Sequence, residues 1–441
     1  MKNRNYGSVF ELDGIPQLSK SLPLALQHVV AMIVGCVTPA IIVAGVAGLQ
    51  GAERVMLIQS ALVVSALSTL LQLYPIGGKG KTRLGSGLPV IMGISFAYVA
   101  SMQAIASEFD IATIFGAQIV GGVIAMVIGL FIDKIRKVFP PLVTGTVVFT
   151  IGLSLYPTAV NYMAGGASSA NYGSWQNWLV ACITLAVVIV LNHTAKGLLK
   201  LASILIGILV GYILAAFMGM VSLEAVSTAG WFQAPSIMHF GVSFQPSACV
   251  AIGLLFAINS IQAIGDFTAT TTGGLDREPT DAELKGAILG YGFTNIFGAL
   301  LGGLPTASYS QNVGIVSTTK VVNRSVLGLG ALILLAAGLV PKFSALLTTI
   351  PQCVLGGATI SVFASIAMTG IRLITSRPLT YRSAEVVGIS VALGVGITQA
   401  VASLGQFPSW VTTVFGKSPV VIATILAVLL NTILPKEKQK V

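Results

Sequence analysis

Fourteen mostly apolar runs, divided by short polar connections, make up almost the whole chain: residues 22–47, 55–75, 88–106, 113–131, 138–157, 177–195, 199–220, 247–272, 285–301, 306–319, 325–341, 348–371, 383–403 and 418–434. A helix needs about 20 mostly apolar residues to cross a bilayer, and most of the runs approach that length. Two do not fit a continuous helix. The third, 88–106, follows the glycine-rich stretch 77–87 and carries Pro89 at its start. The tenth, 306–319, follows Gly302, Gly303 and Pro305, is short, and is rich in Ser, Thr, Gln and Asn. The two lie seven places apart in a count of fourteen. Interrupted segments at matching places in two halves point to the binding site of a secondary transporter, because irregular backbone at membrane depth survives only where protein or a cavity surrounds it. The pattern predicts an all-α polytopic membrane protein built as a 7+7 inverted repeat, since a repeat with an odd number of spans reverses direction.

Charge tests the count. With the N-terminus in the cytoplasm, the inside connections hold 21 of the 24 Lys and Arg, and Arg54, Lys342 and Lys417 fall outside. This bias predicts an even number of spans with residues 1–21 and 435–441 both cytoplasmic. The net charge of +10 is therefore read as an orientation signal and not as a nucleic-acid surface. Charged residues are 9% of the chain against about 25% in soluble domains, so lipid is the expected solvent for much of the surface. The connector from Asp276 to Glu283 packs four acids around Arg277 and Pro279 and is expected to be solvated. Cys36, Cys182, Cys249 and Cys353 sit singly in apolar runs and are read as packing residues. With three scattered histidines and no GxSxG, HExxH or P-loop, no enzyme, metal site, cofactor or ATP drive is indicated.

The strongest chemical signal is Gln311-Asn312-Val313-Gly314, followed by Thr319-Lys320, at the start of the tenth segment. A side-chain amide offers two donors and an acceptor, which suits a flat heterocycle with alternating N–H and C=O groups. Gly314 would let the backbone approach closely. The competing reading is polar glue between helices. Asp266 is the carboxylate placed deepest in a span, and an intramembrane acid is a functional candidate by default. His28, in the first segment, is either its partner in a proton relay or an interhelical hydrogen bond. Pro140-Pro141 and Pro351 mark hinges or helix starts.

The QNxGxxxxTK pattern resembles the signature of the nucleobase–ascorbate transporters. Gln27-His28, Gly93-Ile94-Ser95-Phe96, Gly265-Asp266 and Thr268-Ala269-Thr270 extend the resemblance along the chain. The resemblance implies a core domain of residues 22–131 and 247–341, a gate domain of 138–220 and 348–434, and short antiparallel strands in the third and tenth segments. A homodimer in the cytoplasmic membrane is implied as well. By the same resemblance, Gln311 pairs with the base, Asn312 braces its loop together with Gly314 and Thr319, Phe96 stacks on the ring beside Ser95, and the backbone near Tyr309 and Ser310 adds contacts. Gln at position 311 and Val313 resemble the bacterial xanthine and uric acid branch, which implies import of a purine with protons. Two positions depart from the family pattern: Gln262 stands where many members have Glu, and Tyr291 where purine members often have an acid. At that position Gln262 is expected to bind substrate, matching adjacent N–H and C=O groups by accepting one hydrogen bond and donating one, but it cannot titrate, which leaves Asp266 with His28 to carry coupling. The alternatives are a uracil or other nucleobase permease, a weakly coupled or uncoupled purine carrier, and an anion transporter of the sulfate-transporter type.

Overall fold

The computed structural model describes residues 7–77, 83–131, 140–167, 169–408, 411–416 and 418–435. Lys2, Arg4, Lys79, Lys81, Lys134, Arg136, Lys137, Lys417, Lys436, Lys438 and Lys440 of the charge count lie outside the described residues, as do 138–139 of the expected gate and 436–441 of the expected tail.

The fold is almost entirely helical. In its first half come α1 (Leu18–Val46), α2 (Gly51–Leu73), β1 (Met92–Ile94), α3 (Val99–Glu108), α4 (Ile111–Leu130), α5 (Pro141–Met163), α6 (Trp175–Thr194) and α7 (Ser203–Phe217). In its second come α8 (Pro246–Gly274), α9 (Asp281–Leu300), β2 (Thr306–Ser308), α10 (Ser310–Thr319), α11 (Arg324–Gly338), α12 (Gln352–Ile374), α13 (Tyr381–Gln399) and α14 (Pro419–Ile433). Each expected apolar run thus falls on one helix or on one strand–helix unit. Among the described residues seven helices are long and apolar enough to cross a membrane on their own: α1, α2, α4, α5, α6, α8 and α12.

Local chemistry explains where these elements begin. Asp110 caps α4 by accepting from the Thr113 amide at 2.7 Å. Thr280 and Glu283 form a reciprocal capping box on α9. Pro141, Pro246 and Pro419 occupy first-turn positions that need no N–H donor. The connector before α9 is largely exposed, as its acid count predicts, and within it Arg277 grips Glu283 with two hydrogen bonds, at 2.6 and 2.8 Å. The connection between the eleventh and twelfth runs is itself helical: Pro341, at the end of the eleventh run, starts a separate helix, Pro341–Thr348, bent by 80° from α11. A proline cannot donate into the preceding turn, so it restarts the helix on a new axis.

The helices sort into two groups by packing. In one, α4 lies on α8 and α9, and α11 lies on α1 and α2. In the other, α5 and α12 form the central pair, with α6, α7, α13 and α14 around them. Small residues let these backbones approach. A Cβ at Gly152 or Gly370 would collide with the facing backbone of the α5–α12 pair, and one at Gly122 or Gly292 with that of the α4–α9 pair.

Two three-residue strands join the halves of the first group. β1 pairs antiparallel with β2, Met92 opposite Ser308, Gly93 opposite Ala307 and Ile94 opposite Thr306. The Ser95 amide to Pro305 O and the Tyr309 amide to Ile91 O, both 3.0 Å, extend the ladder. A two-stranded ribbon leaves both outer edges unpaired, and a buried unpaired backbone group is costly. Side chains fill that need. Thr69 of α2 accepts from the Met92 amide and donates to its carbonyl, each at 3.0 Å. Asn295 of α9 accepts from the Thr306 amide at 2.8 Å and donates to its carbonyl at 3.3 Å. The bracing helices, second and ninth, stand seven apart, so the repeat read from the hydrophobic pattern recurs at the level of individual hydrogen bonds.

Candidate functional site

Both strands stop mid-protein, and a helix starts from each. Ser95 closes β1 with its hydroxyl accepting from the Ala97 amide at 3.2 Å, which sets a single turn, Phe96–Tyr98, ahead of α3. After β2, Tyr309 serves as the hinge into α10. Its amide is taken by Ile91, its carbonyl accepts from the Asn312 and Val313 amides, and its hydroxyl donates to Ile94 O at 2.8 Å. The ring passes between Gly35 and Gly93, where an added Cβ would collide with it. Tyr309 is thus a wedge holding the crossing, and its N–H is already occupied.

In front of this crossing a cavity of about 140 Å³ opens between the two helix groups. That is several times the roughly 30 Å³ a water occupies in the liquid. One wall comes from α1, the strand ends, α8 and the start of α10: Gln262, Gln311, Ser95, Phe96, Ser308 and Ser310 all line it. The opposite wall comes from α5, α12 and the start of α7. All six residues expected to bind substrate, Gln311, Gln262, Phe96, Ser95, Tyr309 and Ser310, therefore line this one cavity.

The two glutamines differ from the buried amides nearby. Gln72 donates to Ala287 O at 2.8 Å and accepts from the Ser86 amide at 3.0 Å. Gln118 donates to Asn295 O and Gly303 O, both at 3.0 Å. Neither Gln262 nor Gln311 bonds any described residue through its side chain, and Gln311 is exposed toward the cavity. Phe96 is nearly buried and meets Phe363 of α12 edge-on, centroids 5.1 Å apart. Its ring therefore sits at the junction of the two helix groups.

Asp266 stands one layer behind the cavity. Ser308 Oγ donates to one carboxylate oxygen at 2.5 Å and Ser310 Oγ to the other at 2.8 Å. His28, 1% exposed, belongs to a separate set. Asn312 Nδ2 contacts its Nδ1 at 3.1 Å and donates to its backbone carbonyl at 3.2 Å. The carbonyl fixes the amide orientation, so Nδ1 accepts and the neutral ring carries its proton on Nε2. No hydrogen bond among the described residues links His28 to Asp266. Asn312 thus ties α10 to α1. Gly314 makes no close approach, since an added Cβ there meets nothing within 4 Å. Thr319 accepts from the Val321 amide at 3.3 Å and closes the far end of α10, where Lys320 takes a left-handed conformation and pairs with Asp276 at 2.6 Å.

Several contributors escape sequence reasoning. Ser308 meets Asp266 across 42 positions, and no local pattern announces it. Tyr291 hydrogen-bonds the Tyr98 hydroxyl and stacks on Phe256, behind the turn that carries Phe96. Ser365 and Thr369 of α12 line the cavity from the other group. Nothing in the sequence sets this pair apart from Thr359 and Ser361 of the same run.

A family model described as Permease family, Xan_ur_permease, matches residues 19–403. The chain is 34% identical over 419 residues to the xanthine permease of Bacillus subtilis, covering 94% of this chain and 93% of that one. It is 35% identical over 410 residues to the uric acid permease PucK of the same organism, with 92% and 94% covered. Against the xanthine permease XanP of Escherichia coli the identity is 31% over 456 residues, with 99% and 97% covered. Among solved structures, the transmembrane domain of a cyanobacterial bicarbonate transporter superposes with a TM-score of 0.61 at 17% identity, covering 92% of this chain and 97% of that one. The murine anion transporter Slc26a9 gives 0.57 at 11%, covering 94% and 68%. Those two likenesses establish the shared fold, whereas the sequence matches run end to end through the strands, the cavity and the QNxG amides, and by them the chain belongs to the nucleobase–ascorbate transporter family.

Proposed function

We propose that this chain is a secondary transporter that imports a purine base, xanthine or uric acid, across the cytoplasmic membrane together with protons. The observation that carries the proposal is the pair of unsatisfied amides, Gln262 and Gln311, facing one cavity between two helix groups. Gln72 and Gln118, buried behind the strands, direct their amides at backbone groups, whereas half-buried Gln262 and exposed Gln311 line the cavity without a hydrogen-bond partner among the described residues, so their donors and acceptors are open to a ligand. Each amide presents donor and acceptor side by side, which complements the adjacent N–H and C=O groups of an oxopurine's six-membered ring. The relatives named for xanthine and uric acid support the same substrate class.

Asp266 supplies the coupling. While its carboxylate is ionised, Ser308 and Ser310 both point their protons at it and offer only lone pairs to the cavity. Once it is protonated, it can donate to one serine, which is then free to donate to the base. Proton binding thereby changes the hydrogen-bonding character of a wall that the substrate touches. Gln262 cannot titrate, so this switch rests on Asp266. Transport follows from movement of the core group, residues 22–131 and 247–341, against the gate group, 138–220 and 348–434. Fourteen crossings, cytoplasmic termini and a homodimer complete the reading. Uptake of radiolabelled xanthine into cells lacking purine permeases, challenged with uric acid, guanine, hypoxanthine and uracil, tests it. Purine competition is expected, and uptake blocked by uracil alone would overturn the substrate class.

A further inference from the structure

We infer that Ser365 of α12 is the group through which the gate side reads the edge of the base turned away from the core amides, and that it favours oxopurines carrying a carbonyl on the five-membered ring. This rests on the purine reading above and deepens it.

The gate-side wall is apolar, running from Val148 and Ile151 of α5 to Val362 and Ile366 of α12, except at Ser365 and Thr369. Thr369 spends its proton within the helix, donating to Ser365 O at 2.9 Å. Helical serines and threonines commonly do this, and on the same helix Thr359 bonds Leu355 O and Ser361 bonds Ala358 O, both at 2.8 Å. Ser365 departs from its neighbours. Its hydroxyl bonds no described residue, and its side chain is exposed at the cavity. It is therefore a donor and acceptor facing the core wall across the cavity.

The orientation of the base follows from complementarity. Alternating C=O and N–H groups on the six-membered ring match the glutamine amides, so that ring lies on the core wall. The five-membered ring then points toward α12. In xanthine the carbon of that ring bears hydrogen, and in uric acid it bears oxygen. A serine hydroxyl can donate to the oxygen and gains nothing from the C–H, so the residue distinguishes the two bases without changing how the core amides hold them.

The test is uptake kinetics for both bases in permease-deficient cells expressing the full chain, Ser365→Ala or Ser365→Thr. For a base that is carried poorly, its inhibition constant replaces KM. Ser365→Ala is expected to raise KM for uric acid about fivefold, the worth of one neutral hydrogen bond, and to leave the value for xanthine within about twofold. Ser365→Thr keeps the hydroxyl and is expected to keep the wild-type ratio. Equal shifts for both bases, no shift for either, or loss of the ratio in Ser365→Thr would overturn the assignment while the purine reading stands. A wild-type chain that neither carries nor binds either base would sink the purine reading and this inference together.

Discussion

The frame behind the two strands and the cavity in front of them use the same side-chain chemistry to opposite ends. Behind, Gln72, Gln118 and Asn295 direct their amides at backbone groups of neighbouring elements, and Thr69 and Asn295 supply the hydrogen bonds that a missing third strand would have made. In front, a few ångströms away, Gln262 and Gln311 have the same functional group and no protein partner. An amide within a membrane protein is therefore not a binding residue by type. It becomes one where the fold has left its donors and acceptors unspent.

That contrast can be broken from either side. The largest effect is expected from the frame. Asn295→Ala strips the Thr306 amide and carbonyl of their side-chain partner, costing about 2–4 kcal/mol for buried groups left unpaired. A lower melting temperature of the detergent-purified protein and little protein in the membrane are the expected readouts, and wild-type melting would show that the strand edge finds another partner. On the cavity side, Gln311→Ala is expected to cut uptake by about tenfold to a hundredfold, the loss of one or two hydrogen bonds to the base, with the melting temperature unchanged. Reduced melting with retained uptake would move Gln311 into the frame. Asp266→Asn keeps a donor and an acceptor for Ser308 and Ser310 but cannot change charge. Downhill uptake should persist while accumulation against a gradient and its dependence on external pH disappear, as measured in energised vesicles; pH-driven accumulation at wild-type level would remove Asp266 from coupling. The smallest change is Gln262→Glu, which adds a titratable acceptor and removes a donor. A tilt of substrate preference of about tenfold or less is expected, or a new limb in the pH profile, and identical behaviour on both axes would place that side chain off the base.

The sequence revealed the framework and part of the site, and the division has a physical basis. Runs of apolar residues, basic connections and glycine or proline interruptions are local signals, and they located the segments and the two interrupted units, whereas the strands within those units and Gln262 as a site position came from the family resemblance. The eleventh run ends at 341, where the chain turns by 80°, but the helix Pro341–Thr348 that fills the connection to the twelfth run is too short for an apolar run to announce it, and hydrophobicity does not record direction. The partners of Asp266 were missed for another reason. Ser308 and Ser310 lie 42 and 44 positions away, and only the folded crossing brings them to the carboxylate. The pairing of Asp266 with His28, inferred from residue type, meets two separate hydrogen-bond sets instead. No atom of the described residues presses on Gly314, so packing does not explain a glycine there. Residue type states what a position can do, and its neighbours decide whether it does.

Tyr309 carries a mechanical consequence. Its ring fills the gap between Gly35 of α1 and Gly93 of β1 while its backbone borders the strand pair, so the spacing of α1 from the strands is that of a phenol between two bare Cα atoms. It works like a shim in a bearing: a smaller residue would let helix and strand sag together, and a Cβ on either glycine would jack them apart. That spacing is set by a ring wedged between two backbones at the cavity's border, and swapping Gln262 or Gln311 alone would leave it untouched.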